Sequence, residues 1–331
     1  MQMAFSSLWG GIQMRWKQPA KLGLLAMALG CTAIGATITP STTLAAPVPA
    51  SKAVYHQFQT YRTEAVKSTE SLVKARKYLM NHIDKVGPWQ ATLMTLQLEN
   101  MQNVKLADMD YQMYTEHFQQ AISQAHEQLG YEQKLTYSRL LKEIKDPTAK
   151  KLLQEASDLG FKLETSEGLY YPIINYEIYQ KFKPFVKADI AAYIDIMATE
   201  SNQMTTSDGG IIISWNELIQ RALEKEAFLN KFPNSNRTAA VKQWIFVDYL
   251  FYGSDNTPAY DWYTDDEEIR TIDPEVKQAY EKALAKREPN TESVLLDTME
   301  KILLVLNQNN DELTPEVRAI IEPVQQQFAL E

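Results

Sequence analysis

From Val54 onward, apolar residues recur at alternating steps of four and three. Val54, Phe58, Tyr61, Ala65, Leu72, Ala75, Leu79 and Val86 share one line, and Ser68 and His82 are its polar members. A seam with that period is buried only along another helix. It predicts one helix of roughly 30 residues, about 50 Å long, ended by Gly87-Pro88 because proline cannot continue a helical ladder. The same alternation returns through Met101, Val104, Asp108, Tyr111, Thr115, Phe118, Ile122, Ala125 and Leu129, with Gly130 as a C-cap. Two such helices joined at a Gly-Pro corner fold back as an antiparallel hairpin that buries both seams.

Shorter helices are expected over 131–145 and 147–159, the second capped by Asp146 with Pro147 in its first turn. The pattern then changes. Phe161 to Thr165 alternates apolar and polar, Ser166-Glu167-Gly168 reads as a turn, and Leu169 to Ile174 resumes, so a small β-hairpin is predicted over 161–174. Pro172 makes its second arm an edge strand. Helical periodicity returns over Asp189–Glu200, and Thr205 to Gly210 reads as a loop. Ser214-Trp-Asn-Glu217 offers a capping box for a helix to about Lys231. Asp273-Pro274 and Thr314-Pro315 open two more helices. Ile302 to Leu306 is apolar on consecutive positions and predicts a helix buried on several faces. The fold expected is therefore mainly all-α: a long antiparallel helical hairpin or bundle over 46–160, then a helical domain over 161–331 opened by the β-hairpin.

Residues 1–45 read as an export signal. Arg15, Lys17 and Lys21 precede an apolar run of 17 residues, Leu22–Ile38, and Thr43 and Ala45 supply small residues for cleavage after Ala45. The run is at the lower limit for spanning a bilayer. Retention as an anchor is the alternative, as is lipidation at Cys31, whose preceding Ala28-Leu29-Gly30 places large and small residues in the wrong order for a lipobox. Cleavage would leave 286 residues without cysteine, so stability would rest on packing without disulfides. The net charge of −9 would fall to near −12, which disfavours nucleic acid and anionic lipid as partners. The expected location is secreted or cell-wall associated, with no membrane span after cleavage.

Glu226-Ala-Phe-Leu-Asn-Lys-Phe-Pro-Asn-Ser235 with Ala239-Ala-Val241 resembles the turn between paired helices of tetratricopeptide-like envelope proteins, which implies a helical hairpin around 214–252. A fragmentary echo at Pro289 lies 56 residues after Pro233, not at the 34-residue period of an array. The signal segment, Glu226–Ser235 and Gly253–Pro258 together are similar to uncharacterised secreted helical proteins of Gram-positive bacteria. That resemblance implies a cell-surface setting and carries no activity.

Chemistry is sparse. Ser71-x-x-Lys74 and Ser254-Asp255-Asn256 match two signatures of penicillin-recognising serine enzymes, but the Lys-Thr/Ser-Gly element is missing. The four histidines, His56, His82, His117 and His126, lack zinc spacing, and no metal or cofactor is expected. Carboxylate pairs Glu164/Glu167 and Asp195/Glu200 could in principle face one another as in a glycosidase. The acidic aromatic stretch 253–268 places Asp255, Tyr260, Asp261, Trp262, Tyr263 and Asp265 together, offering stacking faces beside hydrogen-bond acceptors. Its spacing matches no calcium loop. Tyr170 and Tyr171 head a second aromatic patch that would serve as a contact surface where exposed. The functional expectation is an exported binding or scaffolding module at the cell surface, without catalysis, its partner a protein or wall glycan. The alternative is a cell-wall hydrolase or accessory carbohydrate-binding module using residues 253–268.

Overall fold

Serine 68 stops the first helix. In the computed structural model, which describes residues 50–131, 135–261 and 270–329, the expected single helix is two: α1 (Ala50–Ala65) and α2 (Thr69–His82). Ser68 is the N-cap of α2, its hydroxyl accepting from the Ser71 amide at 3.3 Å. A serine in the seam thus satisfies an orphan helix donor, and α2 turns back along α1. The other polar seam residue, His82, ends α2, and a short 3₁₀ turn, Ile83–Lys85, leads to Gly87. Both polar interruptions of the heptad line mark helix ends.

The second expected helix also differs. α3 (Pro88–Met113) starts at the Gly-Pro corner, and α4 (Glu116–Leu129) follows a break at Tyr114-Thr115. The helix expected over 131–145 contracts to α5 (Tyr137–Glu143), whereas α6 (Pro147–Leu159) keeps its expected bounds. Asp146 caps α6, accepting from the Ala149 amide at 2.7 Å.

The predicted β-hairpin is present as β1 (Phe161–Ser166) and β2 (Leu169–Ile174), with Phe161 opposite Ile174 and Ser166 opposite Leu169. Glu167 and Gly168 take φ of 50° and 76°, the left-handed pair that a two-residue hairpin turn requires. Gln119 of α4 finishes the free edge of β2 with its side-chain amide. It accepts from the Tyr170 amide at 2.8 Å and donates to the Tyr170 carbonyl at 2.7 Å.

The rest comprises α7 (Ala188–Asn202), β3 (Thr206–Ser207), β4 (Gly210–Ile211), α8 (Trp215–Lys231), α9 (Thr238–Gln243), α10 (Val247–Tyr252), β5 (Gly253–Ser254), β6 (Thr257–Pro258), α11 (Pro274–Ala285), α12 (Val294–Leu306) and α13 (Pro315–Phe328). The stretch 205–210, expected as a loop, holds the β3–β4 pair. On α12, Ile302, Leu303 and Leu306 are buried but Leu304 is 59% exposed, so that helix is not enclosed on all faces.

Two apolar clusters organise the packing. The first runs from Val54 to Ala198, including Phe161, Leu163, Tyr170 and Ile174 of the hairpin, and also takes Phe228 and Val241. The second runs from Ile211 to Phe328. The changeover between the two clusters lies after α7. Helix α8 serves both clusters, giving Leu218, Ile219 and Ala222 to the second and Phe228 to the first. Where α7 meets α8 a charged group is buried: the Lys225 ammonium donates to Glu200 at 2.7 Å, and the Arg221 guanidinium lies 3.5 Å from the other carboxylate oxygen. Thr205 donates to the same carboxylate at 2.8 Å, and Arg221 donates to the Gln203 carbonyl at 2.7 Å. Burial pushes the Lys225 ammonium below its usual range, a displacement the Glu200 charge opposes. Each charge has partners, the condition under which burial is tolerated.

Candidate binding face

Two polar side chains decide how α3 is turned. Glu99 is buried and accepts three hydrogen bonds: from the Tyr176 hydroxyl at 2.6 Å, the Tyr193 hydroxyl at 2.5 Å and Arg237 Nη2 at 2.6 Å. Gln102, one turn on, donates to the Leu159 carbonyl at 2.6 Å and accepts from the Tyr179 hydroxyl. Burial, followed by the Glu99 charge, holds the hydroxyls of Tyr176, Tyr179 and Tyr193 well above the usual phenol range, so these three are donors. Met94, Leu98, Met109 and Met113 pack on the same inward side.

At 100° per residue, Gln102 and Glu99 lie roughly 160° and 140° round the helix from Val104, whereas Tyr111 lies only about 20° from it. The inward lock therefore turns the second heptad seam outward. Val104 is 77% exposed, Tyr111 83% and Tyr114 60%, while Asp108 and Thr115 are exposed beside them. This overturns the expectation that Val104, Asp108, Tyr111 and Thr115 are buried against the first helix. Helix α1 reaches α3 through a 2.8 Å hydrogen bond from Gln59 to Gln97 and ends at Ala65. Nothing among the described residues covers Val104, Tyr111 or Tyr114.

Beside this face stands the β1–β2 hairpin. β2 packs on α3, and Tyr171, opposite Glu164 in the register, lies near Asp110. Burial, aided by Glu164 and Asp110, pushes the Tyr171 hydroxyl up to about 12. Asp110 is half-buried, and burial raises its carboxyl above the usual range.

The hairpin tip adjoins two others. Ser166 and Ser207 hydroxyls are 2.9 Å apart. A hydrogen bond between the Glu167 and Asp208 carboxyls, reinforced by their like charge, holds Glu167 above the usual carboxyl range. Asp208 and Gly209 repeat the left-handed turn, with φ of 52° and 70°. The β5–β6 hairpin joins on the far side, Ser254 Oγ accepting from the Ile211 amide at 3.2 Å. Acid-bearing turns at Glu167, Asp208 and Asp255 therefore share one edge. Asp255 and Glu167 stand out in the sequence and Asp208 does not, although Thr165-Ser-Glu-Gly168 and Thr206-Ser-Asp-Gly209 repeat one another.

The remaining expected site residues scatter. Tyr260 is 3% exposed, its backbone bridging Ile272, and burial holds its hydroxyl above the usual range. Asp261 is exposed and its amide donates to the Thr271 carbonyl at 2.7 Å. Trp262, Tyr263 and Asp265 lie outside the described residues. Tyr170 is 4% exposed and hydrogen-bonded to His126 Nδ1 at 2.9 Å, so it offers its ring to the core, not to a ligand. Tyr171 is half-buried and its hydroxyl donates to Met204 Sδ at 3.6 Å.

Asp195 and Glu200 do not face one another, since the first is exposed and the second buried. Asp195 binds Lys183 at the surface while Glu200 is buried against Lys225. Ser71 is buried, with its hydroxyl 3.4 Å from Glu64, and Lys74 pairs with Glu70. His117 pairs with Asp146 and His82 stacks on Tyr78, and among the described residues no three His, Cys, Asp or Glu side chains converge as metal ligands. An open surface groove of about 720 Å³ between α2 and α6 is lined by Val73, Leu141 and Pro147 among others. No described helix is long and apolar enough to cross a membrane.

No protein-family model, curated protein or solved structure matches this chain.

Proposed function

We propose that the protein is exported and acts at the cell surface as a binding or scaffolding module, with the outward face of α3 as its contact surface. The observation that carries this reading is the exposure of Val104 and Tyr111 on one line of α3, with exposed Tyr114 at its C-cap. Large apolar side chains grouped on one line mark an interaction site more often than scattered ones do, and tyrosine is prominent among the residues that dominate binding energy. The helix is anchored from behind by Glu99 and Gln102, so the face is held in place before a partner arrives. The N-terminal Arg15 to Ala45 segment supports export, and the acid surplus supports a partner other than nucleic acid.

The test is recovery of bound protein at the surface of cells producing either the wild type or a Val104→Ser/Tyr111→Ser variant. Loss of a defined partner from the variant, with both forms equally folded and equally exported, is the expected result. Equal recovery by both would remove α3 as the contact surface. Retention of both forms on protein-free walls would instead favour a glycan-binding module centred on residues 253–268.

A further inference from the structure

Resting on that reading of α3, we infer that its partner presents a basic amphipathic helix. Val104, Ala107, Tyr111 and Tyr114 occur at steps of three, four and three, which are the a and d positions of a heptad. They extend about 15 Å along the helix axis, enough to seat about one and a half heptads of a facing helix. Ala107 at the centre is exposed and small, so a partner backbone can approach closely between the flanking large residues. A straight line of this period fits the ridge of another helix better than an extended strand, whose side chains repeat every two residues.

The charges beside the line name the partner's sign. Asp108 and Asp110 flank Tyr111 on opposite sides. The half-buried Asp110 carboxylate forms no ion pair or hydrogen bond within the described residues, so it is available to a cation from outside. Lys105 is already held by Asp108 at 3.5 Å and leaves the acids in surplus. Glu164 and the turn acids Glu167 and Asp208 continue the negative field along the neighbouring edge. A second copy of the same face would bring Asp108 and Asp110 against like charges, whereas Lys or Arg at the flanking positions of a different helix would complement them.

The purified full chain would be titrated against a synthetic peptide of about three heptads with Leu at a and d and Lys at e and g. A counterpart would carry Glu at e and g, and binding would be read by fluorescence anisotropy. The lysine peptide is expected to bind at least about tenfold more tightly than the glutamate peptide, and the preference to shrink as salt is raised. Val104→Ser/Tyr111→Ser should weaken lysine-peptide binding about tenfold with an unchanged thermal melt, because both residues are exposed. Asp108→Asn/Asp110→Asn should reduce the lysine preference and spare a glutamine-flanked peptide.

Equal affinity for the two peptides, or undiminished binding by the Ser variant, would overturn the basic-helix partner. Sedimentation separates the failures. Self-association of the wild type that vanishes in the Ser variant would keep α3 as a contact face while assigning it to a second copy, so the inference alone would fall. If the Ser substitutions changed neither peptide binding nor self-association nor cell-surface recovery, the inference and the contact-face reading would fall together.

Discussion

Removing the Glu99 carboxylate tests what orients α3. In Glu99→Leu, the hydroxyls of Tyr176 and Tyr193 lose their acceptor inside the core, and Arg237 loses the carboxylate that it meets at 2.6 Å. The guanidinium is largely buried, and its Nε already lacks a partner. Stranding one buried charge costs about 3–5 kcal/mol, and each stranded hydroxyl adds about 1 kcal/mol; the added leucine methyls offset part of this. A net loss of about 4 kcal/mol is expected, which for a chain of this size lowers Tm by roughly 7 °C. Arg237→Leu alone should cost less, about 2 kcal/mol, because Glu99 keeps two tyrosine donors. In the double variant no charge remains stranded, so its loss should fall short of the summed single losses by at least about 1 kcal/mol. Urea unfolding of the four proteins, followed by far-ultraviolet circular dichroism, supplies all the numbers. Additive losses, or a Glu99→Leu cost below about 1 kcal/mol, would refute the view that this carboxylate and guanidinium act as a buried pair.

Gly160 closes α6 at φ 89°, and a Cβ there would lie 2.6 Å from Gln102 Nε2 and 2.7 Å from Arg76 Nε; Gly160→Ala should therefore cost about 2–4 kcal/mol in a urea melt from left-handed strain and displaced neighbours. Ser68→Ala removes the cap between α1 and α2 and should cost about 1 kcal/mol by the same assay. His126 is buried with Nδ1 on the Tyr170 hydroxyl and Nε2 unpartnered, and burial holds its pKa below the usual value. The folded state thus binds its proton less readily than the unfolded chain, so this contribution is intact above the unfolded pKa near 6.5 and is lost as pH falls from there toward the folded pKa. Urea midpoints at neutral and mildly acidic pH should drop more for the wild type than for His126→Asn, and equal drops would show that His126 does not contribute.

Local punctuation made much of the fold legible. Asp146-Pro147, Ser214 with Glu217, Asp273-Pro274 and Thr314-Pro315 each start a helix where capping chemistry says they should. The Ser166-Glu167-Gly168 turn placed the β-hairpin to the residue, since alternation and turn residues are read over a few positions. The long heptad line does not reveal the breaks, because Ser68 and His82 fit its period as polar members of a seam. A serine has two uses at such a position, and its hydroxyl here serves the amide of Ser71 instead of lying along a packed helix. The break at Tyr114-Thr115 left no comparable signal: Thr115 caps no amide with its side chain, and the register of the apolar line runs straight through it.

The candidate face was present in the sequence and assigned to the wrong side of the protein. A heptad line states that a helix has an apolar seam, but burial within the chain and exposure to a partner produce the same period. What separates them for α3 is the opposite side of the helix. Glu99 and Gln102 find Tyr176, Tyr193, Arg237, Tyr179 and the Leu159 carbonyl only after segments 57 to 138 residues distant have folded against them. Those partners satisfy groups that would be costly to bury alone, and in doing so they select one of two possible rotations. The rotation with Glu99 inside leaves Val104 and Tyr111 in water, and the rotation with Val104 inside would leave three tyrosines without Glu99 or Gln102 as acceptors. With a carboxylate and an amide satisfied together, the first rotation gains more than burying one valine and one tyrosine would return, about 2–3 kcal/mol each. The exposed seam is in this sense a consequence of the polar lock behind it, and loosening the lock should shift the face as well as destabilise the core.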